Sequence, residues 1–129
     1  MKLPRVTTTY SGIKNKPFML TEHVNFTLSN GDNMLIKKGY LTDFASVPFW
    51  AKPFIATRGE YSEAAVIHDF LYNYRHYVED KHLVRFPVSR QFADNEFKYQ
   101  MKIYGANCII RNIFWLYVRA FGWIRFGKI

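Results

Sequence analysis

Hydrophobic residues change their spacing once along this chain, and that change limits the fold more than any other feature of the sequence. From Phe18 to Leu28 the even positions are Phe18, Leu20, Glu22, Val24, Phe26 and Leu28, while the odd ones include Thr21, His23, Asn25 and Thr27. A period of two predicts a half-buried strand, with Glu22 as the one break in its apolar face. Ser29-Asn30-Gly31-Asp32-Asn33 predicts a turn, because Asn-Gly tolerates positive φ. Met34 to Tyr40 predicts a returning strand with a bulge at Lys37-Lys38-Gly39. Thr42 to Pro53 holds Pro48 and Pro53 and reads as loop, with Ser46 as a cap for a short turn.

Beyond that loop the spacing becomes helical. A first helix is predicted over Glu60 to Tyr74, capped by Ser62 with Glu63 in its first turn. His76 to Pro87 reads as a charged loop. A second helix is predicted from Ser89, its N-cap, to Tyr104, with Gly105 ending it. A third runs from about Asn107 to Gly122. The expected class is therefore α+β: an N-terminal antiparallel β-hairpin or small sheet packed on about three C-terminal helices, one domain over 1–129.

The third helix invites a membrane reading, since 106–126 is about long enough to span a bilayer. It holds Arg111, Arg119 and Arg125, and a central Arg costs roughly 2.5–3.5 kcal/mol on the insertion scale. A core helix is expected instead of a transmembrane segment, with an interfacial helix as the alternative. The formal charge of +8 favours anionic partners, among them nucleic acid, lipid headgroups or wall polymers. Nucleic acid rests on charge alone, because no zinc-finger, heptad or phosphate-loop pattern is present. Aromatic residues make up 19% of the chain, more than its core requires, which places some rings on the surface for interfaces. Cys108, the single cysteine, cannot form an internal disulfide, and Met1 to Tyr10 lacks the apolar stretch of a signal peptide. A soluble protein of the cytoplasm is the expectation.

Three segments concentrate polar groups where the hydrophobic pattern does not need them. Thr42 to Pro48 carries Asp43 and Ser46 where a strand opens into a loop. In Ala64 to Tyr72, His68 falls on the apolar face of the first helix between Ala64 and Leu71, with Asp69 about 100° further round. A buried imidazole needs a carboxylate, a metal or a backbone carbonyl as partner. In Ser89 to Phe97, Asp94 has Arg90 and Lys98 at helical spacing and Ala93 of the buried stripe beside it. Asp43, His68 and Asp94 would suit a Zn or Mn ion, with Asp69 as a fourth ligand or general base and Arg90 steadying an anionic substrate. The competing expectation is a buried polar network in which His68 bonds Asp43 or Asp94 and locks the hairpin onto the helices.

These segments, TDFASVP, AAVIHDFLY and RQFADNEF, followed by Gly105 and by Arg119-Ala120-Phe121-Gly122, resemble a family of small bacteriophage and prophage proteins, the domain of unknown function family 1353. Phe44 stands where that family usually has glycine. The resemblance implies a phage origin and a viral protein of the host cytoplasm or the virion; it implies no reaction. His68-Asp69 also resembles the metal-binding pair of the HD phosphohydrolases, whose upstream His would here be His23, on a strand rather than a helix. Two functions follow as expectations. One is a small metal-dependent hydrolase acting on peptidoglycan or a phosphodiester. The other is a non-enzymatic virion or tail-associated module that docks to other phage structural proteins or to an anionic polymer.

Overall fold

The computed structural model describes residues 3–12, 18–42, 49–51, 59–78, 85–124 and 126. In it the alternating segment is cut in two at the interruption that Glu22 marks. Strand β1 (Thr8–Tyr10) pairs antiparallel with β2 (Phe18–Leu20), Thr8 lying opposite Leu20. The chain bends at Thr21 and Glu22 and resumes as β3 (Val24–Thr27), which pairs with β4 (Asn33–Ile36), Val24 lying opposite Ile36. The side-chain alternation survives the bend: Leu20, Val24, Phe26 and Leu28 are buried, while His23, Asn25 and Thr27 are exposed. One hydrophobic face thus continues across two small sheets.

The turn joining β3 to β4 closes with the Leu28 N–H donating to the Asp32 carbonyl at 2.8 Å, Gly31 taking φ of +90°. The bulge expected at Lys37-Lys38-Gly39 is instead a turn, closed by the Tyr40 N–H donating to the Lys37 carbonyl. It carries the chain out of the β3–β4 pair into β5 (Leu41–Thr42), which joins β2 to complete a three-stranded sheet in the order β1-β2-β5. A short 3-10 turn follows at Phe49–Ala51. Asp43 and Ser46, and with them most of the segment Thr42 to Pro48, lie outside the described residues.

Helix α1 spans Gly59–Tyr74. Ser62 is therefore inside it rather than at its N-cap, and its hydroxyl donates to the next residue, Glu63. Every residue from Tyr61 to Asp69 is buried, because the helix is covered on all sides. The N-terminal segment reaches it at Glu63, β5 at Asp69, α2 (Arg90–Ile103) along its length, and α3 (Cys108–Phe121) where Phe114 meets the Tyr61 ring edge-on. Helix α2 is capped by the Ser89 hydroxyl, which accepts from the Phe92 N–H, and it ends ahead of Gly105 at φ of +89°. Asn107 caps α3. The stretch His76 to Pro87, expected as loop, contains a hairpin of β6 (His76–Val78) and β7 (Arg85–Pro87). Three-residue strands are too short to show a period. What anchors this one is Tyr77, buried with its hydroxyl donating to Asp32.

The expectation for the third helix needs a correction. Only Phe114 and Val118 of α3 are buried; Ile109, Ile113, Leu116 and Phe121 are exposed. The helix is the outermost layer, packed mainly against α2, so just one of its apolar sides is covered. No helix among the described residues is long and apolar enough to cross a membrane.

A buried carboxylate fastens the strands to α2. Glu96 accepts from the Ser29 N–H, from the Ser29 hydroxyl at 2.6 Å and from the Gln100 amide at 2.8 Å, and that amide also donates to the Thr27 carbonyl. Replacing it removes the charged acceptor of the Ser29 N–H, the Ser29 hydroxyl and the Gln100 amide, and hydrogen bonds to a charged group are worth about 1.5–3 kcal/mol. Glu96→Ala is expected to lower unfolding free energy by that amount in urea titration, and Glu96→Gln, which keeps one acceptor oxygen, by less.

Candidate functional site

Residues four apart on a helix stand one above the other, and two such pairs face each other between α1 and α2. His68 and Tyr72 come from α1; Arg90 and Asp94 come from α2. The Asp94 side chain is 0% exposed and sits where the two helices meet. On its Oδ1 it accepts from His68 Nε2 at 2.7 Å and from the Tyr72 hydroxyl at 2.5 Å. On its Oδ2 it accepts from Arg119 Nη1 at 2.8 Å and, more weakly, from Arg90 Nη1 at 3.4 Å. One oxygen thus serves the two donors of α1, and the other faces the two cations.

Each partner is itself held. The His68 imidazole lies against the rings of Tyr72 and Phe97, with centroids 4.1 and 4.8 Å away. Arg90 Nη1 also donates to the carbonyls of Val118 and Arg119 at 3.1 and 3.2 Å, a cation at the negative end of α3. Gly122 follows directly after α3, and any Cβ there would fall on the Tyr72 hydroxyl and ring. That hydroxyl cannot retreat, since it is bonded to Asp94 and its ring meets Phe126 edge-on.

Burial holds the His68 imidazole below its ordinary value; the hydrogen bond and charge of Asp94 oppose this and the charge of Arg90 reinforces it. At neutral pH the ring is uncharged, with its Nε2–H donating to Asp94. Burial, and then the bond to Asp94, pushes the Tyr72 hydroxyl well above its ordinary value, so it remains a donor.

Asp69 follows His68 in the chain but serves the strand side of α1. It accepts from the Thr42 hydroxyl at 2.7 Å and from the Tyr40 hydroxyl at 2.9 Å, and Asn73 donates to that same Tyr40 oxygen. Burial and the Asp69 charge push the Tyr40 hydroxyl well above its ordinary value. The structure therefore brings His68, Arg90 and Asp94 together and gives Asp69 to a second cluster between α1 and β5. Asp43 lies outside the described residues, and among those described no three His, Cys, Asp or Glu side chains are gathered to hold one ion. His23 is exposed and accepts from the Lys38 N–H.

Sequence reasoning assigned no part in the cluster to Arg119 and Tyr72. Arg119 left a signal: it is a cation next to Val118 in a largely apolar helix, and a cation near a core implies a carboxylate to meet it. Tyr72 stands four residues after His68, the spacing that puts two donors on one acceptor.

A family model described as "Protein of unknown function (DUF1353)" matches residues 18–118, from β2 to the buried Val118 of α3. No curated protein and no solved structure matches the chain.

The geometry sets two expectations. Gly122→Ala overpacks a fixed hydroxyl, and the forced shift costs about 1–3 kcal/mol; Tyr72→Phe in the same chain should recover part of the loss, as a double-mutant cycle of thermal melts would show. The second concerns pH. With His68 titrating lower in the folded chain than its ordinary 6.5, the unfolded state binds the extra proton as pH falls through that value. The contribution of His68 to stability is therefore full above about pH 6.5 and is lost below it, at up to about 1.4 kcal/mol per pH unit. His68→Asn should flatten that acid limb in denaturation curves taken at a series of pH values.

Proposed function

The chain belongs to the DUF1353 family, and we propose that it works as a non-enzymatic binding module, a folded platform that docks onto an anionic partner. The observation that carries this reading is the occupancy of Asp94. A carboxylate has about four lone-pair sites, and Asp94 receives two donors on each oxygen while wholly shielded from solvent. A catalytic carboxylate needs a reacting atom within reach, and a ligand needs a free lone pair; Asp94 spends both on three helices of its own chain. The net charge of +8 and the exposed aromatic and aliphatic side chains supply the docking surface. In the phage setting that the sequence resemblance implies, such a module would belong to a virion or tail assembly.

A second reading keeps the small hydrolase dependent on Zn or Mn. It is supported by two adjacent buried groups, His68 and Asp69, with Asp69 bonded to Thr42, the residue before Asp43. In that case Asp43, His68 and Asp94 would be the ligands, Asp69 the base and Arg90 the substrate anchor.

One experiment separates the two. Elemental analysis of protein purified without chelator is expected to give no stoichiometric metal, and EDTA to leave the thermal melt unchanged. Arg119→Ala removes a partner of a buried carboxylate and should cost about 3 kcal/mol. Stoichiometric metal, with EDTA reproducing the stability loss of His68→Ala, would favour the hydrolase.

A further inference from the structure

Helices α2 and α3 leave a cleft of about 290 Å³ between them, lined by Asn95, Lys98, Tyr99 and Lys102 of α2 and by Arg111 of α3. Trp115, one turn after Arg111, reaches across to α2 and fixes two of these groups. The centroid of its ring lies 4.6 Å from Lys98 Nζ, and its Nε1 donates to Asn95 Oδ1 at 3.2 Å. An indole N–H can only donate, so the Asn95 atom that it meets is the oxygen. The Asn95 amide nitrogen keeps its donors, which make no bond to a described residue. The cleft is thus walled almost entirely by groups that donate.

Those groups carry a charge that the fold does not offset. Among the described residues no carboxylate comes within ion-pair distance of Lys98, Lys102 or Arg111. After Glu96 the sequence contains no Asp or Glu at all. Lys98 and Lys102 stand four apart on one helix, a like-charge spacing that weakens it. Arg111 is in the first turn of α3, at the positive end of the helix dipole, where a cation is disfavoured. Its guanidinium makes no hydrogen bond to a described residue, and its Nε is buried without an acceptor. Folded proteins keep few such donors, and each calls for an explanation. An oxyanion in the cleft answers all three faults together.

Charge and size select the anion. Two ammonium groups and a guanidinium match a phosphoryl group, which carries a charge near −2 and three strong acceptor oxygens. The guanidinium fork meets two of those oxygens side by side. A carboxylate would leave most of the positive charge unmet. A nucleic-acid backbone spreads single charges along its length and is met by cations in a track rather than around one cleft. At about 290 Å³ the cleft lies just under the roughly 300–1,000 Å³ of sites for drug-sized molecules, which suits one or two phosphates.

We propose that the cleft between α2 and α3 binds a terminal phosphoryl or diphosphate group, held by the Arg111 guanidinium, the Lys98 and Lys102 ammonium groups and the Asn95 amide. This rests on the reading of the chain as a module for an anionic partner and names the group recognised.

The test is calorimetric titration of the full chain with inorganic pyrophosphate, inorganic phosphate and acetate at one ionic strength. Pyrophosphate is expected to bind at one site per chain and to raise the melting temperature, and acetate to do neither. Lys102→Glu and Arg111→Ala should each weaken pyrophosphate binding by about tenfold or more. Lys102→Glu should also melt at or above the parent temperature, because Lys98 gains an opposite charge one turn away. Lys37→Glu makes the same change of net charge on the distant, exposed turn after β4 and should leave binding unchanged. Absence of pyrophosphate binding, or binding that survives in both cleft variants or falls equally in Lys37→Glu, overturns the cleft and leaves the module reading standing. Binding of a DNA oligonucleotide without a terminal phosphate, in a chain that ignores pyrophosphate, overturns it in favour of nucleic acid. Stoichiometric metal with a chelator-sensitive melt overturns the module reading, and pyrophosphate binding by the metal-free chain that Arg111→Ala abolishes would still support the cleft.

Discussion

A single buried carboxylate decides how the three helices meet. Removing Asp94 from water is costly unless donors replace its hydration. The donors come from α1 as His68 and Tyr72, from α2 as Arg90, and from α3 as Arg119. No one helix can supply this set, so the carboxylate is satisfied only when all three are in place. Hydrophobic contact alone would tolerate a range of rotations between α1 and α2. Directed bonds to two distinct oxygens, one for the donors of α1 and one for the cations, narrow that range. The approach of Gly122 to Tyr72 belongs to the same constraint, since only a residue without a side chain lets the end of α3 come this near.

The central position of α1 explains why the chain holds so many buried polar groups for its size. A helix covered on all sides has no wet face for its polar side chains. Glu63 is met by the Val6 N–H and by Arg5, Asp69 by Tyr40 and Thr42, and Asn73 by the Tyr40 oxygen. Glu63 ties α1 to the N-terminal segment, and Asp69 and Asn73 tie it to the chain at Tyr40 and Thr42. The N-terminal segment, the edge strand β5 and the two other helices are located by polar contacts at separate points along one helix. Such a network specifies orientation more than it adds stability, because most of the bonding energy offsets lost hydration.

The outer helix divides its work between its two sides. Its inner side delivers Phe114 and Val118 to the core and Arg119 to Asp94. Its outer side makes no comparable contribution to folding, yet it is as apolar as a core-facing stripe. Solvent-exposed Ile and Leu in register along a helix oppose solubility unless a partner covers them. The groups that hold the fold and the groups that offer a docking face are thus on opposite sides of the same helix.

Much of this was legible in the sequence. The period of two, the Asn-Gly turn, the Ser89 cap and the stop at Gly105 are local signals, written in residues close to one another, and the described structure carries them. The match of a carboxylate to His68 followed from its place among apolar neighbours, since a buried imidazole must be bonded. Short-range pattern could not show which carboxylate would reach it. Asp69 is adjacent in sequence yet turns to Tyr40 and Thr42, while Asp94, 26 residues away, makes the bond. It could not show the hairpin at His76 either, whose strands are shorter than a detectable period and whose anchor, Tyr77, bonds to Asp32. Nor could it show that one apolar side of α3 stays open. Apolar periodicity records what a helix could bury; whether a partner lies on each side is settled by where the other elements have already been placed, and here α1 and α2 cover only one.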